Sequence, residues 1–120
     1  MKQSELKDPN FWIALRERTS LNGRIGIEEC SLWCNEALKM LGDYRKHRFR
    51  KVESTVSHKT IGKYGLFVDT HRVLARKYPE GIFIADGTAG QVDTNYPLGY
   101  YGFVHNASKR LSLFYEKGHR

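Results

Sequence analysis

The segment HRVLARKYPEGIFIADGTAGQ, residues 71–91, constrains the fold more than any other part of the chain. Two runs rich in apolar residues flank YPEG, whose proline and glycine favour a turn. The pattern predicts a β-hairpin in which Ala75 lies opposite Ile84. Because side chains alternate along a strand, His71 and Asp86 would share one face of this hairpin. Their backbones would be about 7–8 Å apart diagonally, which the two side chains can bridge.

Helical patterns precede the hairpin. Asp8 and Pro9 are typical of a helix start, and this helix is expected to reach about Arg18. A second helix is predicted over residues 27–41, where both cysteines lie on an apolar stripe and Gly42 provides a stop signal.

Strand and turn patterns dominate the rest of the chain. Residues 44–57 mix β-branched, aromatic and charged side chains, which predicts an exposed strand, and the glycines of residues 59–65 predict a connecting turn. YYGFV, residues 100–104, predicts another strand. Residues 106–117 are interpreted as a final helix, with a last strand as the alternative. Residues 1–120 are thus expected to form one α+β domain, with N-terminal helices packed on a small antiparallel sheet.

Charge and hydropathy narrow the partners and the location. The formal net charge of +7 favours an acidic partner. No apolar run approaches the roughly 20 residues that a membrane span requires. The N-terminal MKQSELKDPN lacks the apolar segment of a signal peptide. We therefore expect a cytoplasmic protein as written, or a toxin domain that is delivered into another cell as part of a larger protein.

Cys30 supplies a third reactive side chain. It lies in the first turn of the second predicted helix, where free N–H groups and the helix dipole favour thiolate over thiol. With His71 and Asp86 it would form the cysteine version of a catalytic triad. Cys34, one turn later, is the alternative nucleophile, although a cysteine on an apolar stripe is usually a core residue. No second ligand pair accompanies the cysteines, so neither a metal site nor a cofactor is expected.

The order of these residues resembles a known family. A cysteine at a helix start, a strand histidine and an aspartate in IADGTAGQ are similar to the papain-like fold of bacterial toxin and effector domains. That family includes protein-glutamine deamidases and relatives of transglutaminases. The similarity covers residues 27–92, and DGTAGQV is similar to the Asp-x-Thr segment that ends a strand in the family.

This resemblance implies a papain-like fold and a set of roles. Cys30 would be the nucleophile, His71 the base and Asp86 the residue that orients the imidazole. It implies a cysteine-dependent amide hydrolase, most simply a protein-glutamine deamidase, with peptide cleavage and amine transfer as alternatives. A protein substrate is implied, and a cognate immunity or regulatory protein would be a fitting partner.

One departure from the family concerns the oxyanion. Papain has a glutamine six residues before its cysteine, whereas this chain has Arg24 at that distance from Cys30 and Glu28 at that distance from Cys34. The donors are therefore expected to be backbone N–H groups or Asn22. Gln91 is a further side chain predicted to contact the oxyanion or the substrate.

A basic stretch supports a different function. YRKHRFRK, residues 44–51, interleaves aromatic rings with five cations, which suits phosphate neutralisation together with stacking on bases. The alternative function is a non-enzymatic module that binds nucleic acid or an acidic protein through this segment. A solvated edge strand protected by charge would have the same composition. The predicted partner surface consists of Arg45, Lys46, Arg48, Arg50 and Lys51.

Overall fold

A four-stranded antiparallel sheet lies at the centre of the structure, a computed structural model in which residues 3–116 are described. Its strands follow the order β1-β2-β3-β4, so each strand pairs with its neighbour in sequence. The strands are β1 (Arg50–Thr55), β2 (Thr70–Tyr78), β3 (Gly81–Asp86) and β4 (Tyr100–Phe103). Together with the helices, this sheet confirms the predicted α+β class.

Five α-helices accompany the sheet within the described residues. They are α1 (Pro9–Glu17), α2 (Cys30–Leu41), α3 (Tyr44–His47), α4 (His58–Tyr64) and α5 (Lys109–Tyr115), and three short 3-10 helices lie at Gln3–Lys7, Ala89–Gln91 and Val104–Asn106. The start of α1 is as predicted, because the Asp8 side chain accepts a hydrogen bond from the Asn10 N–H at 2.9 Å. None of the helices described in residues 3–116 is long and apolar enough to cross a membrane.

Both faces of the sheet are covered. The helices α1 and α2 pack on one face, and α5 packs on the other. Because side chains alternate along each strand, the sheet contributes residues to a hydrophobic core on each of its faces. The first face contributes Leu74, Phe83, Ala85 and Tyr101, and the second contributes Val73, Ala75, Ile84 and Tyr100. The N-terminal helices therefore pack on the sheet as predicted, whereas the helix on the opposite face makes the domain three-layered.

The predicted hairpin is confirmed, including its register. Ala75 pairs with Ile84, and the pairing between β2 and β3 runs as far as Leu74 with Ala85. The first residues of β2 extend beyond this point and pair with β1, where His71 lies opposite Ser54. This extension places His71 at one end of the sheet.

Two segments differ from the prediction because local capping outweighs strand propensity. Residues 44–47 form α3 instead of a strand, since the Asp43 carboxylate accepts a hydrogen bond from the Arg45 N–H at 2.9 Å. Residues 58–64 form α4 instead of a turn, because Ser57 caps its N-terminus and Gly65 ends it with a φ of 61°.

The predicted helix over residues 27–41 begins later than expected. Its first residue is Cys30, because Gly26 and Glu28 have φ values of 81° and 61° that a helix cannot contain. Gly42 ends the helix with a φ of 82°, as predicted. The cysteine therefore lies at the very start of α2.

A substitution at Gly87 tests the packing of α2 against the end of β3. A Cβ at this position would lie 2.2 Å from Cε2 of the fully buried Trp33. We expect Gly87→Ala to lower the free energy of unfolding by about 1–3 kcal/mol through overpacking. Gly62→Ala in α4 is the matched control, because nothing lies within 4 Å of its Cβ position, and helix propensity should stabilise it by up to about 1 kcal/mol. Urea denaturation measures both, and equal stabilities would contradict this packing.

Candidate active site

A buried hydrogen bond joins His71 of β2 to Asp86 at the end of β3. His71 Nε2 and Asp86 Oδ2 are 2.6 Å apart, and both side chains are fully buried. The carboxylate also accepts hydrogen bonds from the Tyr115 hydroxyl at 2.6 Å and from the Thr88 N–H at 3.1 Å. A carboxylate only accepts, so the imidazole Nε2 carries a proton and Nδ1 is left as the acceptor of the neutral ring.

Cys30, the first residue of α2, lies beside this imidazole. Burial disfavours its thiolate, but the hydrogen bond and charge of His71, together with hydrogen bonds from Arg72, outweigh burial. Together these interactions lower the pKa of Cys30 from 9.0 to about 7. The structure thus brings Cys30, His71 and Asp86 together in one chain of interactions.

The pKa of His71 is shifted as well. Burial disfavours the imidazolium, but the Asp86 carboxylate and the Cys30 thiolate outweigh burial and raise the pKa of His71 from 6.5 to about 9. Asp86 therefore favours the imidazolium and, through it, the Cys30 thiolate.

The N-terminus of α2 leaves backbone donors next to the sulfur. Among residues 3–116 no side chain caps this helix, because Glu29 at the cap position forms an ion pair with Arg24. Trp33 makes the first hydrogen bond of the helix, from its N–H to the Glu29 carbonyl at 3.0 Å. The N–H groups of residues 30–32 precede that bond and are available to a negative charge beside Cys30.

A cleft of about 360 Å³ opens at the sulfur. Its volume lies near the lower end of the range typical of small-molecule sites. The walls combine the loop before α2, the segment before β2 and the short 3-10 helix after β3. The lining residues are Glu28, Cys30, Ile61, Phe67, Val68, Asp69, Thr70, Arg72 and Gln91.

Gln91 links the imidazole to the loop that precedes Cys30. Its Nε2 is 2.9 Å from His71 Nδ1, and its Oε1 accepts a hydrogen bond from the Glu28 N–H at 2.8 Å. Gln91 therefore lies in the cleft, where contact with a substrate or oxyanion was predicted. Asn22, the other predicted side chain, is exposed and does not line the cleft.

Cys34 lies in the core instead of the cleft. Its side chain is fully buried in the cluster that contains Trp33 and Leu74. Burial and the Asp86 charge raise the pKa of Cys34, which opposes formation of a thiolate. Both thiols are free. This environment is the one expected of a core cysteine.

Three residues that sequence analysis did not single out complete the site. Arg72 lies next to His71 and contacts Cys30, and Thr88 follows Asp86 within the Asp-x-Thr segment already noted. For these two, proximity in sequence was a usable signal. Tyr115 lies 29 residues from the carboxylate that it contacts, and no local pattern indicates that contact.

The predicted basic surface is divided by the fold. His47 and Phe49, which alternate with its cations, are buried and each 1% exposed, so they are not available for stacking on bases. Arg45 and Lys46 are exposed on α3. Lys51 faces α2, where its Nζ donates hydrogen bonds to Ser31 Oγ at 2.6 Å and Asn35 Oδ1 at 3.1 Å.

The other two predicted cations line a separate groove of about 510 Å³. The groove lies where β2 continues past the first residue of β1. Of the six residues that line it, within the described part of the chain, four are basic and none is acidic. They are Tyr44, Arg48, Arg50, Ala75, Arg76 and Lys77.

No family model matches the chain, and searches among curated proteins and solved structures found no match either. The resemblance to papain-like toxin domains therefore rests on the sequence motif, and the papain-like fold stays a prediction. Within residues 3–116, no group of three or more His, Cys, Asp or Glu side chains is arranged to hold a metal ion.

Alkylation should distinguish the two cysteines. We expect iodoacetamide to modify Cys30 with a rate that rises through about pH 7, because its pKa is lowered to about 7 and the thiolate is lost below that pH. Buried Cys34 should stay unmodified. Peptide mass spectrometry measures both rates across pH, and His71→Ala should move the Cys30 midpoint up. Equal labelling of the two cysteines, or a midpoint unaffected by His71→Ala, would contradict the assignment.

Proposed function

We propose that this protein is a cysteine-dependent amide hydrolase that deamidates glutamine side chains of a protein substrate. The observation that carries the proposal is the connected set Cys30–His71–Asp86, which reaches solvent through the cleft at the sulfur. A lowered thiol pKa at an uncapped helix start is what an activated nucleophile requires.

Each group has a definite task in this reaction. The Cys30 thiolate attacks the carboxamide carbon, and the carbonyl electron pair moves to oxygen, where the N–H groups of residues 30–32 are nearby donors. The His71 imidazolium then protonates the amide nitrogen, which leaves as ammonia when the C–N bond breaks. Next, His71 takes a proton from water, whose oxygen attacks the thioester. Release of glutamate returns the proton to the sulfur, while Asp86 holds the ring throughout.

The dimensions of the cleft favour a side-chain amide. A volume of about 360 Å³ suits one long side chain with its adjoining backbone. A peptidase must instead hold an extended segment across several residues. Peptide cleavage and amine transfer use the same acyl-enzyme, so they are the alternatives that an assay must separate.

The assay uses glutamine-containing peptides as the substrate probe. We expect ammonia release and conversion of glutamine to glutamate in the peptide mass. Cys30→Ala and His71→Ala should each lower the rate by about 10³-fold or more. Cys34→Ala is the matched control, because it removes a sulfur from the same helix, one turn into the core. Loss of activity in Cys34→Ala alone would contradict the proposal, and cleaved or amine-linked peptides would show one of the alternatives.

The basic groove favours a second candidate function, the binding of an acidic protein segment. Its aromatic residue already contacts a cation of the groove, because the Arg50 guanidinium lies 5.4 Å from the centre of the Tyr44 ring and donates a hydrogen bond to the Tyr44 hydroxyl at 2.7 Å. Three of the four basic residues that line the groove are arginines, whose guanidinium groups pair with carboxylates in a bidentate geometry.

Matched charge changes test this second function. We expect the double variant Arg48→Gln/Arg50→Gln to weaken binding of a fluorescent poly-glutamate peptide, and the wild-type affinity to fall with added salt. Arg18→Gln/Arg45→Gln removes the same charge outside the groove and should bind nearly as the wild type does. Fluorescence anisotropy measures both. Equal losses of affinity in the two double variants would show that net charge alone controls binding. Tighter binding of a single-stranded oligonucleotide would favour nucleic acid as the partner.

A further inference from the structure

The Gln91 carboxamide contacts the ring nitrogen of His71 to which the Cys30 proton would be transferred. His71 Nε2 donates to Asp86, so Nδ1 is the ring nitrogen that can receive a proton from the thiol. In the structure that nitrogen lies 2.9 Å from Gln91 Nε2. An amide N–H that donates to Nδ1 stabilises the neutral imidazole and, with it, the protonated thiol.

The orientation of this amide follows from its other contacts. Its Oε1 accepts from the Glu28 N–H at 2.8 Å, which directs the Nε2 group toward His71. The same Nε2 is 3.5 Å from Thr88 Oγ1, which in turn donates to Asp86 Oδ1 at 3.3 Å. Every donor in this network meets an acceptor only when Nε2 faces the imidazole.

The Gln91 side chain also contacts a loop residue with an unusual backbone conformation. Glu28 has a φ of 61°, a conformation that non-glycine residues rarely adopt. The Gln91 side chain satisfies its N–H, so the amide connects the approach to Cys30 with the imidazole. Gln91 also lines the cleft, where a substrate carbonyl would arrive.

The other groups around His71 do not compete for Nδ1. Asp86 of β3 faces Nε2, and Tyr115 of α5 contacts that carboxylate and not the ring. The neighbouring Phe114 ring of α5 is uncharged, with its centre 5.5 Å from that of the imidazole. Ser54 lies opposite on β1, and Arg72 of β2 pairs with Glu53 at 3.0 Å. Gln91 and Cys30 are therefore the two groups that share this nitrogen within residues 3–116.

We propose that Gln91 is a catalytic residue whose N–H donates first to His71 and then to the substrate. In the free enzyme the amide N–H donates to Nδ1 and thereby disfavours the imidazolium and the Cys30 thiolate that pairs with it. When a carbonyl group enters the cleft, the amide donates to its oxygen instead, which frees Nδ1 and stabilises the developing oxyanion. The inference rests on the cysteine chemistry proposed above, and not on the identity of the substrate.

The exchange balances without any further reactant. The thiol proton moves to Nδ1, the sulfur forms a bond to the carbonyl carbon, and the carbonyl electron pair moves to oxygen. The Gln91 N–H changes its acceptor from nitrogen to that oxygen and is not transferred. Activation of the thiol is thereby coupled to the arrival of the group that it attacks.

Two reagents that react with thiolates in different ways test this double role in Gln91→Met. A methanethiosulfonate reacts at sulfur and forms no oxyanion, whereas p-nitrophenyl acetate acylates through an oxyanion. At about pH 6, the thiosulfonate should react about three- to tenfold faster than with wild type, because removal of the Gln91 donor favours the imidazolium and, with it, the thiolate. At about pH 9 the thiosulfonate rates should agree, while acylation falls by about 10²-fold. Cys30→Ala supplies the background for both reagents.

A purely structural role of Gln91 would not change the rates of the two reagents in different ways. A parallel loss with both reagents, or no change with either, overturns the proposal. If Gln91→Met fails to fold, Gln91→Glu replaces it, since a carboxylate still accepts from the Glu28 N–H but cannot donate. That variant should lose acylation at about pH 9 and keep its thiosulfonate rate; an unchanged acylation rate would likewise overturn the proposal.

The outcome is separable from that of the glutamine assay. If the peptides are not deamidated but the two reagents diverge as expected, the proposed substrate is wrong and the role of Gln91 stands. If deamidation occurs and Gln91→Met affects both reagents equally, the proposed function stands and this inference is wrong.

Discussion

The rest of this structure depends on the hydrogen bond between His71 and Asp86, because both side chains are fully buried and capable of carrying charge. Burying such groups is costly unless their remaining hydrogen-bonding capacity is satisfied. Tyr115 and Thr88 supply donors to the carboxylate. These contacts tie α5 and the chain after β3 to one end of the sheet. The packing of the second face and the geometry of the candidate site therefore have a common physical origin.

Several locally unfavourable features lie close to this end of the sheet. Glu28 has a positive φ, and no side chain within residues 3–116 caps α2. Trp33 Nε1 is buried without a hydrogen-bond partner among the described residues, next to Gly87. Each feature costs folding free energy, and such costs are tolerated where the surrounding packing enforces them. An uncapped helix start also leaves its N–H groups to a negatively charged sulfur, which a side-chain cap would compete with.

The electrostatics of the site follow from which groups are buried together. Burial alone would keep both Cys30 and His71 neutral. Their proximity reverses this tendency, because each charged form is stabilised by the other and Asp86 stabilises the imidazolium further. Cys34 has no such partner, and its thiol is held protonated by burial and by the Asp86 charge. Two cysteines one helical turn apart thus have opposite chemical character.

Local sequence by itself determined the Asp8 cap of α1 and the end of α2 at Gly42. It also determined the hairpin register, which places His71 and Asp86 on one face. Each of these features depends on residues near one another in the chain. The helices at 44–47 and 58–64 were missed, since single side-chain caps decided between structures of similar propensity. Only the tertiary structure decided which cysteine contacts the imidazole, how Gln91 contacts the same ring and that the Tyr115 hydroxyl donates to Asp86. Those contacts join separate elements, and their geometry is set by the packing of helices on both faces of the sheet.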